Sequence, residues 1–274
     1  MTRFTTSADG TKIAYSVTGS GPALLLVDGA MCHRRFGPTT ELASVLDKNF
    51  TVYTYDRRGR GETGDGATPW SLEREIEDIA AVIEEAGGSA FVFGVSSGAV
   101  LALEAASKLP SITRLAIYEA PFVVDDTYPA RPADYVRTMD DLIARGDRSG
   151  ALSSFMKLVG TPGFAVAIMK LTPMWKKLKL VAHTLPWDLR ILGDDGRGSP
   201  LPADRWNVEV PTLAMDGGKS PVYLRNTMKN VAEVVEGAEH RTLPGQTHMY
   251  KSSVMAPELV EFFSRAQRTT GPIA

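Results

Sequence analysis

Short apolar runs alternate along this chain with longer stretches in which apolar residues return every three or four positions. That alternation predicts strands laid beside one another with helices between them. Ala23-Leu24-Leu25-Leu26-Val27 and Thr51-Val52-Tyr53-Thr54-Tyr55 read as buried strands, with a helical stretch over 40–46 between them. The clearest helix carries Leu72, Ile76, Ile79, Ile83 and Ala86 on one face and Glu and Arg on the other. Ser71 is its candidate N-cap, Glu73 and Glu75 suit its positive end, and Gly87-Gly88 stops it. Ala90-Phe91-Val92-Phe93 predicts a further strand, and 97–109 a helix apolar nearly all round, hence buried. Leu115-Ala116-Ile117-Tyr118, Thr212-Leu213-Ala214-Met215 and Arg241-Thr242-Leu243 are the later strands, with a helix over 223–235 between the last two. Met255, Leu259, Phe262 and Ala266 mark a final helix, capped by Ser252 or Ser253.

The rhythm breaks between Phe122 and Val208. This stretch holds no convincing strand but several short helical pieces, cut by Pro162, Pro173 and Pro186. The expected fold is therefore α/β, a mostly parallel central sheet flanked by helices. Residues 1–121 and 209–274 would form the core, and 122–208 a helical cap inserted between the later strands.

Composition narrows the function classes. Apolar residues make up 43% and charged residues 23%, a globular balance. A net charge of −2 speaks against a nucleic-acid partner, which would normally select a basic excess. Cys32 is the single cysteine, so neither an intrachain disulfide nor a cysteine-rich metal site is expected. The first residues contain no apolar core of signal-peptide length, and no stretch supplies the roughly 20 apolar residues of a membrane span. A cytoplasmic location without stable membrane anchoring is the expectation.

The chemistry concentrates at Gly94-Val95-Ser96-Ser97-Gly98, a G-x-S-x-G run after a predicted strand and before a predicted helix. A chain reversing there forces its central serine into a strained conformation, and glycines two residues either side leave room for the turn. The hydroxyl of Ser96 is then lifted out of the packed interior, beside free N–H groups at the helix start.

Other runs join it. Leu25-Leu26-Val27-Asp28-Gly29-Ala30 resembles the strand-plus-HG loop of the α/β-hydrolases, and 55–63 (YDRRGRGET) their D-x-R-G-x-G-x-S turn. Val210-Pro211-Thr212-Leu213 is similar to their VPTL strand entry, and 243–248 (LPGQTH) to their late G-x-x-H loop. The resemblance covers the chain outside the insertion. It implies a Ser96 nucleophile, and His248, in the loop after the last strand, as the base that takes its proton. Most relatives place the acid in an H-G-x-x-D-P run, where this chain has Asp216-Gly217-Gly218-Lys219-Ser220-Pro221, so Ser220 stands at the acid's usual place. Some relatives carry it directly after the strand that follows the elbow, which makes Glu119 the first candidate and Asp216 the alternative. The resemblance also implies an oxyanion hole from the backbone N–H groups of Ala30 and Ser97.

Asp28 departs from the family's histidine, and the expectation is that it pairs with Arg34 or Arg35 or braces its loop. Arg57 and Arg60 suggest an anion site but read more simply as solvated, and Cys32 as a small buried residue. In the insertion, Phe155, Phe164, Met169, Met174 and Trp175 are expected to line an apolar pocket. Lys170, Lys176, Lys177 and Lys179 read as a solvated helix face. The expected activity is cleavage of a small or medium apolar ester, thioester or lactone through an acyl-enzyme, with no metal or organic cofactor. The alternatives are C–C bond hydrolysis or cofactor-free perhydrolysis by the same residues, and a non-hydrolytic ligand-binding or biosynthetic protein of this fold. The sequence does not fix the oligomeric state.

Overall fold

The computed structural model describes residues 1–265; Ala266, expected in the last helix, lies outside them. Eight strands form one sheet: β1 (Arg3–Thr6), β2 (Lys12–Gly19), β3 (Ala23–Val27), β4 (Thr51–Tyr55), β5 (Ala90–Val95), β6 (Ile112–Tyr118), β7 (Thr212–Gly217) and β8 (Glu239–Leu243). Their order is β1-β2-β4-β3-β5-β6-β7-β8, antiparallel at the β1–β2 and β2–β4 pairs and parallel elsewhere. The antiparallel N-terminal pair is absent from the sequence expectation. β1 is mostly exposed, and β2 buries three consecutive residues, Ile13, Ala14 and Tyr15, so neither shows a clean alternation.

Helices cover both faces, as parallel strands require. On one face α2 (Leu72–Glu85), α3 (Ser97–Ala106) and α9 (Val222–Val234) pack Ile79, Val100 and Val231 against Leu25, Val92 and Ile117. On the other, α1 (Pro38–Leu46) and α10 (Ser252–Phe263) pack Leu42, Leu46, Leu259 and Phe262 against Leu24, Phe93 and Leu213. Each such aliphatic side chain contributes about 1.5–3 kcal/mol by leaving water. The buried helix ends at Ala106, three residues short of expectation. Ser252 does not cap α10: the helix begins at Ser252, which is buried, and Lys251 stands at the cap position.

Between β6 and β7 the chain makes five helices: α4 (Tyr135–Ala144), α5 (Arg148–Leu158), α6 (Gly163–Met169), α7 (Pro173–Val181) and α8 (Leu185–Ile191). A 3₁₀ turn, Ala182–Thr184, precedes α8. The prolines start helices here, Pro162 at the cap of α6, Pro173 opening α7 and Pro186 in the first turn of α8. These helices share a small core of their own around Met139, Leu152, Trp175 and Leu185.

Candidate active site

Among the described residues, three non-glycine side chains sit at positive φ: Met31 (63°), Ser96 (57°) and Glu119 (49°). They follow β3, β5 and β6, neighbouring parallel strands, so all three lie beyond the C-terminal edge of the sheet. Positive φ is costly for residues with a Cβ and persists only where surrounding structure enforces it. Here that structure is visible. A Cβ on Gly94 would come 2.5 Å from the Gly98 carbonyl oxygen, and one on Gly98 would come 2.5 Å from that of Asp28. The turn holding Ser96 is therefore closed against β3 and α3 with no room for side chains at either glycine. Ser96 itself is half-buried and faces a cavity it shares with Ala30, Ser97 and Phe122. α3 begins at Ser97, so its free N–H groups and dipole lie beside the serine.

Glu119 reaches from the end of β6 across to the last loop. Its carboxylate is fully buried and accepts the Gly217 N–H at 2.8 Å, while its other oxygen lies 2.7 Å from His248 Nδ1. The His248 side chain is 40% exposed, so the ring stands at the surface with its Nδ1 edge anchored. Its loop is held by Tyr118, whose hydroxyl donates to the Thr247 carbonyl at 2.7 Å, and by the Lys219 N–H on the Gln246 carbonyl at 2.8 Å. Among the described residues, the side-chain partner of the His248 ring is Glu119, and no hydrogen bond joins the ring to Ser96 Oγ.

The alternative acid goes elsewhere. Asp216, inside β7, lies 2.5 Å from His240 Nε2 and accepts from the Thr242 hydroxyl at 3.2 Å. Ser220, at the family's usual acid position, is buried and its hydroxyl has no partner among the described residues.

Two other expectations change. Asp28 pairs with neither Arg34 nor Arg35: Arg34 binds Asp56 at 3.0 Å, and both arginines bind Glu62. Asp28 instead accepts from the Thr39 hydroxyl at 2.5 Å, in the first turn of α1, and its second oxygen is buried without a partner among the described residues. Burial pushes its carboxyl up to about 7, against the pull of Thr39, Arg60 and Arg57. Arg57 and Arg60 are not solvated but 1% exposed, because Asp188 of α8 comes down onto them. Burial acts to raise the Asp188 carboxyl, yet Arg60 and Arg57 outweigh it, and it lies below its ordinary value. The Cys32 thiol is pushed up to about 12 by burial and the nearby Asp28.

The cavity is walled by Phe122, Phe155, Leu158, Leu189 and Tyr223 around Ser96 and Ala30, with Arg131 and Arg197 also lining it. Of the five apolar residues expected there, only Phe155 lines it. Trp175 is buried in the insertion's own core, its indole N–H on the Ser149 hydroxyl at 3.0 Å, and Met169 packs on the same core. Phe164 and Met174 are exposed instead. A short helix has too little girth to turn every apolar side chain inward, so periodicity alone does not say which ones meet the pocket. Asp188 carries no motif, and its spacing of 131 residues from Arg57 hides the pairing. No described group of three or more His, Cys, Asp or Glu is placed to hold a metal ion, and no described helix is long and apolar enough to cross a membrane.

Residues 24–260 match the model of a family described as the alpha/beta hydrolase family. The chain is 34% identical over 243 residues to a pimeloyl-[acyl-carrier protein] methyl ester esterase of Stenotrophomonas maltophilia (strain R551-3), covering 85% of this chain and 88% of that protein. It is 30% identical over 145 residues to the uncharacterized hydrolase YraK of Bacillus subtilis (strain 168), about half of either chain. The crystal structure of an alpha/beta hydrolase from Sphaerobacter thermophilus DSM 20745 superimposes with a TM-score of 0.87 at 47% identity, covering 96% of this chain and all of that one.

Proposed function

Because this chain belongs to the alpha/beta hydrolase family, and so is an enzyme of hydrolase type, we propose that it cleaves a small or medium apolar ester, thioester or lactone through an acyl-enzyme on Ser96. The observation that carries this reading is the arm formed by Glu119 and His248, 2.7 Å apart, at the same sheet edge as the positive-φ serine. Glu119 accepts from the Nδ1–H of His248, which leaves Nε2 as the basic nitrogen. Nε2 takes the proton of Ser96 as its oxygen attacks the substrate carbonyl carbon. The negative charge formed on the carbonyl oxygen meets the N–H groups of Ala30 and Ser97, each such donor worth a few kcal/mol of transition-state stabilisation. The imidazolium then protonates the leaving oxygen or sulfur, and water, deprotonated by the same nitrogen, releases the acid.

Residues 122–208 act in this reading as a cap, with Phe155, Leu158 and Leu189 meeting the acyl or alcohol part of the substrate. The relative named as a methyl ester esterase supports an ester substrate. Labelling by a fluorophosphonate probe tests the scheme: wild-type protein is expected to label and to turn over short p-nitrophenyl esters, and Ser96→Ala to do neither. Undiminished labelling of Ser96→Ala removes Ser96 as the nucleophile.

A further inference from the structure

Two arginines from the loop after β4 hold the segments that carry both oxyanion donors. Arg60 Nη1 donates to the Gly29 carbonyl at 2.6 Å and Arg57 Nη1 to the Asp28 carbonyl at 3.2 Å. In a trans peptide the carbonyl and the following N–H point to opposite sides. Fixing the Gly29 carbonyl on Arg60 therefore fixes the direction of the Ala30 N–H, away from Arg60. The second donor is tied to the same cluster. The Ser97 hydroxyl donates to Asp188 at 2.7 Å, anchoring the first residue of α3. Asp188 closes the circuit by accepting from Arg57 at 2.9 Å and from Arg60 at 2.7 Å. Glu75 of α2 takes the other edge of Arg57 through two bonds of 2.7 and 2.9 Å. Two guanidinium charges thus meet two carboxylates, all at 3% exposure or less.

Apolar residues of similar volume often replace such buried ion clusters without loss of stability. What they do not reproduce is the directional hold on two carbonyls and one hydroxyl. Resting on the acyl-transfer reading, we infer that Asp188, from the helical insertion, is a positioning residue that aims the Ala30 and Ser97 N–H groups at the developing oxyanion through Arg60 and Ser97. The insertion then does more than wall the substrate cavity. Its α8 completes the stabilising half of the site.

The test is per-site kinetics on a p-nitrophenyl ester, with competent sites counted by fluorophosphonate titration and phenylboronic acid as a tetrahedral mimic. Asp188→Asn is expected to lower kcat about 100-fold, the size of losing one oxyanion donor, with KM within about threefold. Phenylboronic acid affinity should fall by a similar factor. Arg60→Lys keeps Asp188 paired, but one ammonium cannot reproduce the fork that spans Asp188 and the Gly29 carbonyl. It should lose about 10-fold to 30-fold in kcat, and Ser97→Ala, which leaves every ion paired, about threefold to tenfold. A merely structural Asp188 would lower the unfolding midpoint and the number of titratable sites but leave per-site kcat and phenylboronic acid affinity unchanged, which overturns the inference. If Asp188→Asn does not fold, unchanged per-site values in Arg60→Lys and Ser97→Ala overturn it equally. A wild type that neither labels nor turns over any ester overturns the acyl-enzyme reading and this inference together. An active wild type with a silent Asp188→Asn refutes the positioning role alone.

Discussion

Two buried carboxylates stand one strand apart, each holding an imidazole from the last strand or the loop after it. Glu119 pairs with His248 at 2.7 Å and Asp216 with His240 at 2.5 Å, and both carboxylates are fully buried. The chemistry is the same; the address is not. Asp216 belongs to β7, where side chains can point only to one sheet face or the other. Its register partner is Thr242, and His240 pairs with Ala214, so all four share the face that also carries Ala214 against Met228 and Val231. Glu119 follows the last residue of β6 at a φ of 49°, outside strand geometry, and reaches over the sheet edge instead. A carboxylate–histidine pair therefore says little by itself. Its place relative to the strand end decides whether it lies within a sheet face or beyond the sheet's C-terminal edge.

The sharpest way to break this contrast is to neutralise both pairs and compare turnover. On the proposed scheme, Glu119→Gln and His248→Gln are expected to lower kcat about 10³-fold to 10⁴-fold, since the first would lose the tautomer that leaves Nε2 basic and the second the proposed base. Asp216→Asn and His240→Gln should stay within about threefold of wild type. Steady-state kinetics on a p-nitrophenyl ester measures all four. A loss in Asp216→Asn comparable to that in Glu119→Gln would erase the distinction and return the acid assignment to Asp216.

Stability should sort the pairs in the opposite sense. His240→Ala leaves the buried Asp216 carboxylate with only the Thr242 hydroxyl, since its other oxygen has no partner among the described residues. A cost of about 2–4 kcal/mol is expected, read as a lower urea midpoint at constant m-value. His248→Ala, removing a ring that is 40% exposed, should cost about 1 kcal/mol, because Glu119 keeps the Gly217 N–H. Equal costs would mean that both imidazoles serve the sheet.

Much of this was legible before any coordinates. The steps of three and four at Leu72, Ile76, Ile79 and Ile83 describe α2, and the apolar runs describe β3 to β7, because burial on both faces leaves a continuous hydrophobic record. The glycines around Ser96 are legible for a steric reason, and Glu119 only through the resemblance, since some relatives carry an acid directly after the strand that follows the elbow. Arg57, Arg60 and Asp188 leave no such record. An arginine in a loop reads as solvated unless its partner is known, and here the partner lies on a helix 128 residues beyond Arg60. The exposed Phe164 failed the same way in reverse, since hydrophobic character does not tell a short helix which side faces inward.

Asp28 extends the contrast to a carboxylate with no imidazole at all, and its signature is a slope against pH. Burial pushes its carboxyl up to about 7 in the folded chain, against an ordinary value of 3.8. Between those values the folded state keeps a proton that the unfolded state has released. Stability attributable to this group therefore falls as pH rises through the window, at about 1.4 kcal/mol per pH unit. Asp28→Asn stays neutral in both states and retains an oxygen to accept from the Thr39 hydroxyl. From about pH 5 to about pH 6.5 the variant should gain about 2 kcal/mol on wild type, visible as converging or crossing urea midpoints. A constant difference across that range would mean that Asp28 is ionised in the fold, with Arg57 and Arg60 supplying its countercharge after all.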